Sequence, residues 1–334
     1  MMTRVRSVVV VAAIAVTLAS AGPALAGPAD PALSAFSHLF ALSTATTTRL
    51  SGMGGILTCI NDDGFANPAF AGTLTDYHSV DRYSATHFDA GLKLKGEQSS
   101  IAIPLKDGKR GLQITGFRLK SDPAPPLGVI GAPAIGWDEW DLALHYGQWV
   151  SDAWLIGVGL SPTFHNSTDF RLPPFGQVAH FRTTADEGYR LGALHKLRAG
   201  GWLGVVYDKY HEDLTGFDPS GPRKERLSSE EIAIGISRPL NERVLAAVEW
   251  QQLTTKFDST KVGDSGFRCG IEALMDTNWT ARLGNNDGAF SMGLGYSDTN
   301  WTAQYAFIKN WNDDNVRPIF GGSKTHQAEF TYVW

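Results

Sequence analysis

The chain has 334 residues, of which 43% are hydrophobic and 19% charged, with 36 glycines and 10 tryptophans; ordinary soluble domains carry roughly 25% charged residues. A formal net charge of −5 excludes the basic footprint that nucleic-acid binding requires. Two cysteines, Cys59 and Cys269, exclude a disulfide scaffold and a four-cysteine zinc site.

Arg4 and Arg6 precede an apolar run from Val8 to Leu18, and Ala24-Leu25-Ala26 supplies small residues at a cleavage site. This is the pattern of a secretory signal peptide over residues 1–26, with the exported chain starting at Gly27. Downstream, no apolar stretch reaches the ~18 residues of a spanning helix. A β-barrel remains allowed, because it hides its hydrophobicity in alternation.

Residues 27–80 differ from the rest. Pro31 to Leu42 reads as a short amphipathic helix. Gly52, Gly54 and Gly55 follow, then Asn61, Asp62 and Asp63, then Asn67, Pro68 and Ala69. Gly, Asn, Asp and Pro at this density mark irregular backbone. Two readings stay open: a segment that fills a pore, with the glycines letting its backbone pass close to a wall, or ordinary turns at a barrel mouth.

From residue 81 to 334 the text is a succession of period-2 segments. Phe330, Tyr332 and Trp334 share one face; Glu329, Thr331 and Val333 share the other. Ile232, Ile234 and Ile236 alternate with Ala233 and Gly235, and Trp154, Ile156, Val158 and Leu160 alternate with Gly157 and Gly159. Successive side chains of a strand point to opposite sides, so each segment has one apolar face and one small or polar face. The count is about fourteen strands, beginning with 85–95 and 99–104, which predicts an all-β antiparallel transmembrane barrel. Long connections are expected at 121–136, 166–186, 214–225, 256–265 and 310–323, alternating with tight turns. The first of these is apolar, running from Asp122 through Pro125-Pro126 to Ile135.

Placing the aromatic and aliphatic faces against lipid leaves Asp89, Lys93, Asp141, His145, Arg190, Lys196, Glu231, Arg243, Glu249, Arg268, Glu272, Arg282 and Glu329 for the lumen. Arg or Lys at the membrane midplane on the lipid side would cost ~2–4 kcal/mol. The terminal Phe330, Tyr332 and Trp334 look like the strand by which a barrel is handed to the outer-membrane assembly machinery. That reading predicts the outer membrane of a double-membraned bacterium, with membrane lipid as a partner. Asn61, Asp62 and Asp63 have no spaced set of further oxygen ligands, so they form no calcium loop. Neither HExxH nor a nucleophile elbow occurs. No catalytic residue, metal or cofactor is expected, and the chain does not read as an enzyme.

The opening of the exported part, Gly52-Met53-Gly54-Gly55, then Asp62-Asp63, then Asn67-Pro68-Ala69, resembles that of the FadL-type fatty-acid transporters and the related PorV-like barrels. Gly270-Ile271-Glu272, Ala281-Arg282-Leu283-Gly284, Gly293-Leu294-Gly295-Tyr296 and a last strand containing His326 are also similar. Two departures stand out: the short gap from Asp63 to Asn67, and Phe70-Ala71-Gly72 after the Asn-Pro-Ala element. The resemblance implies a fourteen-stranded barrel, residues 81–334, plugged by its N-terminal segment. It implies passive uptake of small hydrophobic molecules, with Gly52, Gly54, Gly55, Asp62, Asp63, Asn67, Pro68 and Ala69 at the plug. PorV-like action on secretion partner proteins, or a general porin, is the alternative.

Overall fold

A computed structural model describes residues 47–89, 91–105, 108–122, 134–172, 176–218, 221–257, 260–310 and 321–334. The signal peptide at 1–26, the helix at 31–42 and most of the apolar loop, 123–133, lie outside the described residues.

The sheet comprises β1 (His78–Phe88), β2 (Lys93–Pro104), β3 (Arg110–Asp122), β4 (Ala134–Trp149), β5 (Trp154–Leu172), β6 (Gly176–Lys196) and β7 (Trp202–Asp218). It continues with β8 (Gly221–Asn241), β9 (Val244–Phe257), β10 (Thr260–Leu274), β11 (Trp279–Asn286), β12 (Ala289–Ser297), β13 (Trp301–Lys309) and β14 (Ser323–Val333). Each strand pairs with its neighbour in sequence and β14 closes on β1, giving a closed barrel. Closure leaves no sheet edge along the shared length of the strands.

The period-2 pattern dictates this arrangement. In β12, Ala289, Ser291 and Gly293 are buried while Phe290, Met292 and Leu294 are exposed. β5 exposes Trp154, Ile156 and Leu160, and β8 exposes Ile232, Ile234 and Ile236. The apolar rows therefore point out of the cylinder and the small and polar rows point in. An aromatic arc marks one end of the outer face. Trp279 packs on Tyr296 with ring centroids 5.0 Å apart, Tyr296 on Trp301 at 5.2 Å, and Trp301 on Phe330 at 5.8 Å. Tyr77 stacks on Trp334 at 6.2 Å while their backbones exchange hydrogen bonds of 3.3 and 3.1 Å.

Two expectations about element placement need correction. The first two strands lie at His78–Phe88 and Lys93–Pro104 rather than 85–95 and 99–104, so β1 starts ahead of residue 81. Asp89 is a turn residue whose carboxylate accepts from the Gly322 N–H at 2.9 Å, and Lys93 is exposed on the outer face. Lys196 is exposed at the last position of β6 and Arg243 in the turn before β9, so none of the four lines the lumen. The second correction concerns loops. Residues 166–172, 176–186, 214–218, 221–225, 256–257 and 260–265 are strand, so β5–β6, β7–β8 and β9–β10 join through 173–175, 219–220 and 258–259 alone. These hairpins continue by backbone pairing where an apolar face is no longer required, so the alternation fades before the strand does.

The wall is uneven in height. β6 and β8 have 21 residues each, β11 has 8. β8 outruns β9: its pairing with β9 begins at Leu227, and residues 221–226 pair with β7 alone among the described residues.

Candidate functional site

Residues 47–76 pack against the inward side chains of the strands. A short helix, α1 (Thr48–Gly52), is capped by Thr47, whose hydroxyl accepts from the Leu50 N–H at 3.3 Å. Gly54 and Gly55 then turn the chain with φ of 83° and 73°, a region open to glycine at little cost. Asn67 caps a 3-10 helix, Pro68–Thr73, by accepting from the Ala69 N–H at 3.1 Å, with Pro68 where a missing N–H costs nothing. Leu50, Met53, Ile56, Leu57, Cys59 and Ile60 form a buried cluster with Ala66 and Ala247. Phe70 sets its edge on Trp202 at 5.6 Å, an interplanar angle of 86°, and packs with Leu155 and Leu194.

The wall meets this segment with glycines. A side chain at Gly147 would bring Cβ to 2.5 Å from the Pro68 carbonyl oxygen. Similar collisions would occur at Gly157 with Ala69, at Gly192 with Asn67, at Gly204 with Thr58, at Gly270 with Met53 and at Gly284 with Gly54. These glycines are aligned across the sheet: Gly111 pairs with Gly147, Gly147 with Gly157, Gly157 with Gly192, Gly204 with Gly235, and Gly270 with Gly284. Without a Cβ the wall accepts a second backbone at van der Waals contact.

Charged groups tie the two parts together. Glu329 accepts from the Thr48 N–H at 2.9 Å and from Gln304 at 3.0 Å. Glu272 lies between two guanidiniums, Arg49 at 2.6 Å and Arg282 at 2.7 Å. Glu249 accepts from the Leu57 and Thr58 N–H groups at 2.8 and 2.7 Å and pairs with Arg268 at 3.2 Å. Arg268 in turn donates to the Gly55 carbonyl at 2.9 Å. Arg190 donates to the carbonyls of Phe65 and Ala66, each at 3.4 Å, and to Asp208. Such charge-assisted bonds satisfy buried backbone groups of an irregular segment, which otherwise carry a desolvation penalty.

Seen residue by residue, Arg190, Glu249, Arg268, Glu272, Arg282 and Glu329 face inward and form one connected polar surface with residues 48–66. His145 is also buried, and its Nδ1 meets Gln113 at 3.1 Å. His145 also hydrogen-bonds to the Gly64 backbone, which joins it to that surface. Asp141 accepts from Ser161 at 3.4 Å. Asp63 pairs with His78 at 2.6 Å. The Asp62 carboxylate accepts from the Ala66 N–H at 2.8 Å, while its other oxygen has no hydrogen-bond partner among the described residues. Burial pushes the Asp62 carboxyl up to about 8, against the opposing pull of that N–H. Burial likewise raises the Cys59 thiol well above its usual range. Phe330, Tyr332 and Trp334 point outward and are exposed. Among the described residues no group of His, Cys, Asp and Glu could hold a metal ion.

The wall glycines, Ser237 and Ser291 were not singled out by the sequence reading. Ser237 donates to the Cys59 carbonyl at 2.6 Å, and Ser291 both accepts from the Gly54 N–H at 3.0 Å and donates to the Gly52 carbonyl at 3.3 Å. Their signal was present in the small-residue faces of β4, β5, β8 and β12, which say that something approaches but not what. Nearer the opposite end, Leu119, Trp137, Tyr210, Leu214 and Leu227 are buried on inward positions.

No protein-family profile matches the chain, and no curated protein matches it. Solved structures do. The toluene transporter TbuX of Ralstonia pickettii superposes with a TM-score of 0.59 at 12% identity, over 87% of this chain and 98% of that one. The CymD monoaromatic hydrocarbon channel gives 0.59 at 13%, over 87% and 98%. A Pseudomonas aeruginosa FadL homologue gives 0.54 at 14%, over 86% and 98%. The chain thus has the fourteen-stranded fold of the FadL-type barrels.

Proposed function

We propose that this chain is an outer-membrane channel for small hydrophobic molecules, with residues 47–76 as a plug that closes the bore. The observation that carries the reading is the alignment of wall glycines under that segment. A barrel of fourteen strands is too wide for its own side chains to fill, and a second backbone seated on glycines closes it while leaving polar groups satisfied. Irregular backbone at membrane depth is tolerated in such a setting. Two further features fit. The inward Leu119, Trp137, Leu214 and Leu227 offer apolar contacts to a ligand entering from the loop end. Solved barrels of the same fold include a toluene transporter and a monoaromatic hydrocarbon channel.

In this reading apolar solute enters among those side chains and leaves when the plug shifts around Gly52–Ala69. The test is reconstitution of the full chain in liposomes. Uptake of labelled toluene or oleate, with no swelling in isotonic sugar, is the expected result. Sugar flux without hydrophobic uptake would replace the reading with a general porin.

A further inference from the structure

The outer face of β13, β14, β1 and β2 carries a row of bases in register across the four strands. Lys309 lies directly opposite Lys324, Lys324 opposite His87, and His87 opposite Lys93. All four are exposed, and no ion-pair partner reaches them among the described residues. Lys309 and Lys324 are like charges placed directly opposite one another and repel, so that pair is unfavourable unless an anion lies over it. The row is bounded: Phe290 pairs with Lys309 on one side, and Asp122 pairs with Lys93 on the other. One step lower lie Lys95 and Lys120, also paired with each other and exposed; Lys120 stands 3.9 Å from Asp138.

Its height identifies the occupant. The row is ten residues along β14 from Trp334 and ten along β1 from Tyr77, the stacked aromatic pair at the short-turn end. Ten residues at ~3.4 Å each make about 34 Å of strand. Tilted by about 35–45°, that is roughly 24–28 Å of rise, against an apolar band about 25 Å tall in outer-membrane barrels. The bases therefore stand where the hydrocarbon ends and headgroups begin. The aromatic end has turns of two to five residues only, whereas the other end carries the two long connections, 123–133 and 310–322, and the tall hairpins of β5–β6 and β7–β8, which puts the row on the external leaflet.

We propose that the row Lys309–Lys324–His87–Lys93, supported by Lys95 and Lys120, binds the phosphate groups of a phosphorylated glycolipid in the external leaflet. The inference rests on the outer-membrane placement but not on what passes through the bore. Clustered bases at a membrane surface attract anionic headgroups in proportion to their number. The neighbouring Phe290, Phe307 and Tyr305 lie on the same outer face, beside the acyl chains of a lipid so held.

The test compares the full-length protein with K93Q/K309Q/K324Q and with a control, K196Q/R243Q, altered at exposed bases of the opposite end. Each is extracted from outer membranes in mild detergent, and bound lipid is read by native mass spectrometry. Barrel closure is followed in parallel by heat-modifiable gel mobility. The expected result is phosphorylated glycolipid on wild type and control, and at least about ten-fold less on the closed triple variant. Equal lipid on the triple variant, or none on wild type, overturns the proposal while leaving the channel reading intact. Absence of the wild-type chain from outer membranes would overturn both.

Discussion

Glu249 and Thr58, 191 positions apart in sequence, meet inside the barrel: the fully buried carboxylate accepts from the Thr58 N–H at 2.7 Å. The same oxygen takes the Leu57 N–H at 2.8 Å, and the other takes Arg268 at 3.2 Å. One side chain thus neutralises a wall charge and two backbone donors of the inner segment.

Removal of Glu249 should therefore act on the segment more than on the barrel. E249A takes the carboxylate from the part-buried Arg268 guanidinium and the acceptor from two N–H groups, a loss of up to about 3–5 kcal/mol for a broken buried pair. Planar-bilayer recordings should show larger and more frequent conductance than wild type, with the heat-modifiable barrel retained. Unchanged conductance would show that this anchor does not hold the bore closed.

A side chain at the glycine seats should have a like effect through volume. G157V places its branch where the Ala69 backbone now lies, and backbone cannot yield as a flexible side chain can. Liposome swelling in sugar should rise for G157V and stay at the wild-type level for G116A, whose Cβ meets nothing within 4 Å.

The pH dependence follows from Asp62. Its carboxyl titrates at about 8 when buried and near ~3.9 when unfolded. A raised acid favours the folded arrangement fully below the unfolded value, and that contribution is lost as pH rises through the folded one. Trypsin cleavage after Arg49 should accelerate between neutral pH and pH above about 8. D62N, which keeps an acceptor for the Ala66 N–H, should flatten that profile.

Cys59 offers a direct reporter. It is fully buried and its thiol is held protonated by burial, so thiolate chemistry is suppressed. Maleimide should leave Cys59 unlabelled in the native protein and modify it in E249A, as read by peptide mapping. Rapid labelling of native Cys59 would contradict its packing with Met53 and Ile56.

Strands with one apolar face were legible in the sequence, and Ala289–Ser297, Trp301–Lys309 and Ser323–Val333 lie close to where alternation puts them. β1 and β2 were misplaced because Thr86-His87 and Lys93-Leu94-Lys95 show no apolar row, so the turn near Gly91 went unrecognised. The upper halves of β5 to β8 were read as loops for a related reason: past the apolar band, polar residues occupy both faces. For the interior, parity alone directed Glu249, Glu272 and Glu329 inward. It was silent on their partners, because a period of two fixes the side of a wall and not what leans on it. The glycine seats required the register of several strands at once, which a single strand's pattern does not contain.

The overshoot of β8 beyond β9 has a bearing on solution behaviour. Residues 221–226 offer one row of backbone donors and acceptors with no neighbouring strand among the described residues, the kind of border on which a foreign chain can template itself. The sequence there is Gly-Pro-Arg-Lys-Glu-Arg. Pro222 has no N–H to offer, and Lys224 and Arg226 are exposed, Arg226 facing Asp213 at 2.6 Å. A border so furnished discourages stray β-pairing between crowded barrels, letting this tongue stand clear of its neighbours without becoming adhesive.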